Sequence, residues 1–220
     1  RSRRAPACRH RARSAAAAGE DGYGLAQLAE DFLAVVQSTG EPRVVGGGLS
    51  MGSLTALQAA LARPERFSAL VLTSLPSLDD ASRTWATGFA EALERGPFEE
   101  ALQRFVGQPG SPLADGGREQ VVLGLREHQP MALAALLRHV IARQPPLEEL
   151  LAPASYLELP TLVICGAKDP RVLPGSEALV AAMPRAELVV LPEAGHVTNL
   201  EAPEAYSRVL EEFLRRQGLG

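Results

Sequence analysis

Cysteine is nearly absent from this 220-residue chain, which contains only Cys8 and Cys165. Two such distant residues form no disulfide framework and no paired metal-ligand spacing, so a cystine scaffold and a cysteine-rich metal site are both excluded. Cys165 closes the apolar run 161–165 and reads as a small buried thiol, as expected for a chain in a reducing, cytoplasmic compartment. No apolar run approaches the roughly 18 residues a membrane-spanning helix needs. A basic surplus is also missing from most of the chain. Residues 1–19 carry six arginines and no acid, which leaves 16 basic against 26 acidic residues in the remainder, a net charge of −10. No basic face is left there to neutralise phosphates, and nucleic-acid binding is excluded on that ground. There is no repeat at a period of 20–50 residues and no internal linker.

The composition, 46% hydrophobic and 22% charged with aromatics at 5%, fits one domain. A chain of this size can bury about 70% of the surface it would expose unfolded, enough for a core without covalent or metal staples. The opening stretch RSRRAPACRHRARSAAAAG has neither helical nor strand periodicity. A transit peptide, a basic arm for an acidic partner, and a truncated or out-of-frame start would all look like this. The expectation adopted is that residues 1–21 are disordered and a non-native start.

From residue 22 the pattern alternates. Leu25, Leu28, Ala29, Phe32 and Val36 recur at helical steps and predict a helix ending near Thr39 and Gly40. Strands are predicted at 43–47, 67–73, 161–165 and 186–191, and helices at 51–63, 175–183 and 203–216. Runs without polar alternation, as at 67–73 and 161–165, are expected to be buried on both faces of a parallel sheet. Between them, residues 75–159 contain four or five predicted helices (80–94, 98–106, 117–127, 131–142 and 147–151) and no strand. They read as a helical insertion.

Chemistry is expected at the strand ends. After the strand at 43–47 comes Gly48-Leu49-Ser50-Met51-Gly52, a G-x-S-x-G pattern running straight into a helix. A serine at such a turn is held out at the sheet's edge in a strained conformation, and glycines on either side spare the strand and helix a steric clash. The Met51 N–H opens the helix without an acceptor and can donate to developing negative charge. A serine nucleophile needs a base, and the base an orienting carboxylate. His10 lies in the irregular start, and His128 and His139 lie in the helical insertion, where solvated or capping roles are expected. His196, in Glu193-Ala194-Gly195-His196, follows a strand on a loop with no helical face to bury it. Asp169, in Gly166-Ala167-Lys168-Asp169-Pro170, is either a turn residue or a site residue. Its place at the carboxyl end of a parallel strand favours the second.

The segments VVGGGLSMGS, ALARPERFSALVLTS, PTLVICGAKDP and LPEAGHVTNLEAPEAYSRVLEEFL, with Ser, Asp and His in that order, resemble the α/β-hydrolase fold family. The resemblance covers residues 22–220. It implies an α/β fold with a mostly parallel sheet, here the last four strands of about eight. The core would comprise residues 22–74 and 160–220, with residues 75–159 forming a cap over the active site. It also implies Ser50 as nucleophile, Asp169 as orienter, His196 as base and Met51 as oxyanion donor, with no metal or cofactor. Two departures stand out. Residues 1–21 hold nothing like the family's HG-type loop, which supplies a second oxyanion donor, so turnover is expected to fall by about 10² to 10³. Ser53 stands where a second glycine is usual.

The expected activity is hydrolysis of a small ester, thioester, lactone or β-diketone through an acyl-enzyme. The alternative is a catalytically impaired fragment or a non-catalytic small-molecule-binding protein of the same fold. Candidate substrate contacts are Leu49 and Val197, beside the reactive residues, and Trp85, Phe89 and Met131 from the insertion. Phe105 and Leu137 share the insertion's apolar character, and for its side chains internal packing is the competing role.

Overall fold

The structure, a computed structural model, describes residues 23–76, 80–107 and 118–220. The expectations placed on residues 1–21 lie outside them. Four strands form where the apolar runs were read: β1 (Val44–Leu49), β2 (Phe67–Thr73), β3 (Thr161–Gly166) and β4 (Ala186–Leu191). All neighbouring pairs are parallel, in the order β1-β2-β3-β4. The two central strands are the continuous apolar runs. β3 is buried throughout and β2 nearly so, as expected of strands covered on both faces. The outer strands are less enclosed, and Val45 and Val190 are each 38% exposed.

Alternation along β2 and β3 divides their side chains between two layers. Leu70, Leu72 and Val163 face one side, with α1 (Leu25–Ser38), α2 (Met51–Ala62) and α8 (Leu173–Ala182) packed against them, and Phe67 joins this layer from the start of β2, where the pairing with β1 is shifted. Ala69, Val71, Leu162 and Ile164 face the other, under Phe213 of α10 (Pro203–Arg216). Each large side chain buried this fully contributes about 1.5–3 kcal/mol. Because every strand runs the same way, their carboxyl ends meet at one rim. Leu49 pairs with Thr73, and Thr73 with Ile164. The segments carrying Ser50, Asp169 and His196 all leave the sheet from that rim.

The chain between β2 and β3 is helical: α3 (Asp80–Arg95), α4 (Phe98–Phe105), α5 (Arg118–Arg126), α6 (Pro130–Leu136) and α7 (Leu147–Ala154). α3, α4 and α6 share a second core. Phe89 sits between Trp85 and Phe105, at ring separations of 5.6 and 5.1 Å. α7 differs, since its Leu147, Leu150 and Ala154 join the layer against the sheet. The helix expected at 131–142 changes character partway. From Leu137 to Ile141 it is a π-turn, and the Ala142 N–H donates to the Leu137 carbonyl five residues back. The far end of this segment is tied to the near end. Gln144 Nε2 donates to the Pro76 carbonyl at 2.8 Å, and Arg83 donates to the carbonyls of Ala142 and Gln144.

Two elements were not expected from the sequence. One is a 3-10 turn at Pro64–Arg66. The other is the single-turn helix α9 (Thr198–Glu201), which follows His196.

Candidate active site

Ser50 links β1 directly to α2 with φ +54° and ψ −120°, a left-handed backbone that a side-chain-bearing residue rarely adopts. What keeps it there is local. Its N–H donates to the Thr73 carbonyl at 2.9 Å, and its own carbonyl accepts from the Ser53 N–H at 2.9 Å and the Ser53 hydroxyl at 2.6 Å. Ser53 is fully buried, so this hydroxyl locks the turn from beneath. The two flanking glycines are not equivalent. A Cβ on Gly48 would lie 2.2 Å from the Gly52 carbonyl group, whereas a Cβ on Gly52 would meet nothing within 4 Å. The tight approach expected of both is required of Gly48 alone, with Gly52 contributing its backbone. Met51 is the first residue of α2, so its N–H has no acceptor within the helix.

Asp169 and His196, 27 positions apart, are joined by a hydrogen bond of 2.6 Å from His196 Nδ1 to Asp169 Oδ2. A carboxylate can only accept here, so Nδ1 carries the proton and Nε2 is left as the acceptor of the neutral ring. The second carboxylate oxygen, Oδ1, accepts from Arg171 Nε at 2.8 Å. Burial pushes the Asp169 carboxyl up, but the hydrogen bonds and positive charge of His196 and Arg171 outweigh it and hold the group below the usual carboxylate range. The carboxylate is only 3% exposed, so it is a shielded partner for the imidazole. No hydrogen bond joins Ser50 Oγ to His196 among the described residues; the two side chains instead line one cavity. Such bonds commonly tighten only when substrate arrives.

That cavity has a volume of about 240 Å³. A cavity of about 150 Å³ accepts benzene. Its floor is Ser50, Met51, Asp169 and His196, and its roof comes from Trp85, Leu125, Leu133, Leu136, Leu137 and Ile141. Ser82, His128 and Arg171 are its other polar members. His128 Nδ1 bonds the Gly124 carbonyl at 3.0 Å. Of the residues singled out as substrate contacts, Trp85 lines the cavity and so does Leu137. Phe89 is in the helical core between the rings of Trp85 and Phe105, Phe105 packs against that core, and Met131 is 51% exposed at the start of α6. Leu49 is the last residue of β1, and Val197 is buried at the N-terminus of α9.

Three further residues shape the site. A Cβ on Gly166 would lie 2.2 Å from the Ala194 carbonyl oxygen and 2.3 Å from that of Gly195, so glycine is what lets the His196 loop close against the end of β3. Ser74, fully buried with φ +48°, donates its hydroxyl to the His196 carbonyl at 2.7 Å. Glu201 accepts from the Gly195 N–H at 2.8 Å and the Val197 N–H at 2.9 Å. In the sequence Ser74 looks like an ordinary strand terminator and Glu201 like an acidic residue near a helix start. Glu201's only signal is its place as the one charged residue between His196 and Pro203.

Among the described residues no group of three or more His, Cys, Asp or Glu side chains could hold a metal ion. Burial pushes the Cys165 thiol up, leaving an unreactive packing group.

Comparison with known proteins sets this geometry in context. A family model described as alpha/beta hydrolase fold matches residues 1–203. A pimeloyl-(acyl-carrier protein) methyl ester esterase of Edwardsiella ictaluri is 30% identical over 210 residues, covering 89% of this chain and 77% of that protein. A 3-oxoadipate enol-lactonase of Acinetobacter baylyi is 25% identical over 202 residues, covering 88% of this chain and 72% of that protein. The crystal structure of a hydrolase from Pseudomonas aeruginosa superposes with a TM-score of 0.72 at 30% identity, covering 87% of this chain and 72% of that one. The chain thus spans about three quarters of the length of these proteins.

Proposed function

The chain belongs to the α/β-hydrolase fold family, and on that premise we propose that it is a serine hydrolase that cleaves small esters, thioesters or lactones with an apolar acyl group. One observation carries the reading: a buried Asp169–His196 hydrogen bond of 2.6 Å opens on the same apolar cavity as a serine held at φ +54°. The esterase and lactonase names of its relatives support the bond type.

In this mechanism the acyl chain lies in the cavity, and its carbonyl carbon sits over Ser50 Oγ. His196 Nε2 takes the hydroxyl proton as Oγ attacks, and Asp169 stabilises the imidazolium through Nδ1–H. The Met51 N–H donates to the oxyanion. The imidazolium then gives its proton to the departing alcohol or thiol, or to the ring oxygen of a lactone. Water enters, loses a proton to Nε2 and attacks the acyl carbon, and Ser50 leaves with that proton restored. Removal of Met51's donation should cost about 10² to 10³ in turnover. The helices between β2 and β3 act as a cap, excluding water from the acyl group. A cytoplasmic location is part of the same proposal, supported by the free buried Cys165. No helix among the described residues is long and apolar enough to cross a membrane.

A fluorophosphonate probe tests the reading. It should label Ser50, and labelling should disappear in Ser50→Ala and His196→Ala variants that retain the wild-type circular dichroism spectrum. Folded wild-type protein that resists the probe would instead identify a small-molecule-binding protein built on the same fold.

A further inference from the structure

We propose that Glu201 and Ser74 are positioning residues that clamp the main chain of His196 from both sides. In this role they fix where Nε2 points without touching substrate. The inference rests on the serine-hydrolase reading above and adds to it a part the three reactive side chains do not supply.

A base is useful only if its free nitrogen is held within hydrogen-bond reach of the hydroxyl, and a misplacement of about 1 Å costs about a hundredfold in rate. The ring of His196 has one fixing contact, from Nδ1 to Asp169. That bond sets the distance of the ring from the carboxylate. It leaves the ring free to swing about it unless the backbone beneath is rigid. His196 sits on a loop, where rigidity is not given by helix or sheet. The loop's backbone groups are nevertheless satisfied around that residue. The N–H before it, on Gly195, and the N–H after it, on Val197, both donate to the Glu201 carboxylate, one to each oxygen, at 2.8 and 2.9 Å. Its own carbonyl accepts from Ser74 Oγ at 2.7 Å. A charged acceptor with two backbone donors is among the stronger hydrogen-bond arrangements available.

The two clamps have separate origins. Glu201 closes α9, the single turn that begins right after His196, so it acts on the loop from the downstream side. Ser74 comes from the end of β2, and its N–H donates to the Ile164 carbonyl of β3 at 2.7 Å. Its neighbour Thr73 accepts from the Ser50 N–H at 2.9 Å. The end of β2 therefore holds the serine turn through one residue and the histidine through the next. It sets the spacing of nucleophile and base as a single strained unit. The left-handed φ of +48° at Ser74 is the conformational cost of serving both.

The test uses Glu201→Gln and Ser74→Ala in the full chain. Glutamine keeps the shape of Glu201 but turns one acceptor into an NH₂ donor, which faces a backbone N–H. Alanine suffers the same backbone strain as serine at φ +48°, so that variant isolates the loss of the hydroxyl. Each should lower kcat for p-nitrophenyl butyrate about 10- to 100-fold with KM within about threefold, and slow fluorophosphonate labelling of Ser50 by the same factor. The double variant should lose less than the product of the two, because both act on one loop. The downfield proton NMR signal of His196 Nδ1–H should broaden or shift in each, which does not depend on turnover. Glu204→Gln, a charge removal on the exposed start of α10, should leave all of these unchanged. Wild-type labelling rates in both folded variants would overturn the clamp, as would losses that merely track the folded fraction in thermal melts. If wild-type protein is not labelled at all, the hydrolase reading fails. The NMR signal then decides the clamp alone: unchanged in both variants, it refutes it.

Discussion

Replacing Gly166 by alanine should push the Asp169 and His196 loops apart without removing any side chain of the candidate site. The added Cβ would sit 2.2 Å from the Ala194 carbonyl oxygen and 2.3 Å from that of Gly195. Ordinary contact requires the loop to retreat by about 1 Å, since both obstacles are backbone and no side chain can turn aside. The retreat also pulls Ala194 from the Lys168 N–H, which donates to its carbonyl at 2.9 Å and ties the Asp169 segment to the His196 segment. Overpacking of this kind costs about 1–3 kcal/mol of stability. The larger effect is geometric. His196 lies one residue beyond the displaced carbonyls, and a shift of about 1 Å between base and nucleophile is worth about a hundredfold in kcat. Urea unfolding and p-nitrophenyl butyrate hydrolysis, measured on the same preparation, report the two effects separately. A folded Gly166→Ala protein with wild-type kcat would refute the reasoning, because it would mean that the loop absorbs the Cβ without moving the base.

Three other outcomes follow from the same geometry. Gly52→Ala places a Cβ where nothing lies within 4 Å on a helical residue, so it should keep activity and gain up to about 1 kcal/mol in urea unfolding. Arg171→Ala removes one of the two hydrogen-bond donors that hold Asp169 below the usual carboxylate range. A depressed folded-state carboxyl adds stability above its unfolded value and loses it as pH falls through the folded one. The variant's acid unfolding, followed by circular dichroism below about pH 5, should therefore begin at higher pH than the wild type's. Ile141→Trp fills the cavity roof, and should lower the ratio of kcat/KM for p-nitrophenyl octanoate over acetate by about tenfold or more.

The sheet was legible because its signal is local. Runs such as those at 67–73 and 161–165 are apolar over the length of a strand, and the four strands form within a residue or two of where they were read. The serine turn and the Asp169 and His196 loops were legible for the same reason, each following a recognisable strand. What escaped is non-local. The Ser74–His196 bond spans 122 positions, and no pattern around either residue announces it. Gly166 looks like a strand terminator until the backbone it faces is known. The contacts of the helical insertion were hard for another reason. Helical periodicity tells which residues of 80–94 or 131–142 are apolar, but Phe89 and Trp85, four positions apart on one helix, divide between a closed core and an open cavity.

The π-turn at Leu137–Ile141 gives the roof of the cavity one residue more than a regular helix would use. Deleting a single residue there would let the helix relax to its ordinary winding with the residues after it still in phase, because four residues at about 100° each sweep about the same angle as the five of the wider turn. The cavity roof between Leu137 and Ile141 would then be one residue shorter, with the residues beyond it facing as before. The shape of the cavity above Ser50 can therefore be altered by a one-codon change in length, with the strand ends and Ser50, Asp169 and His196 untouched.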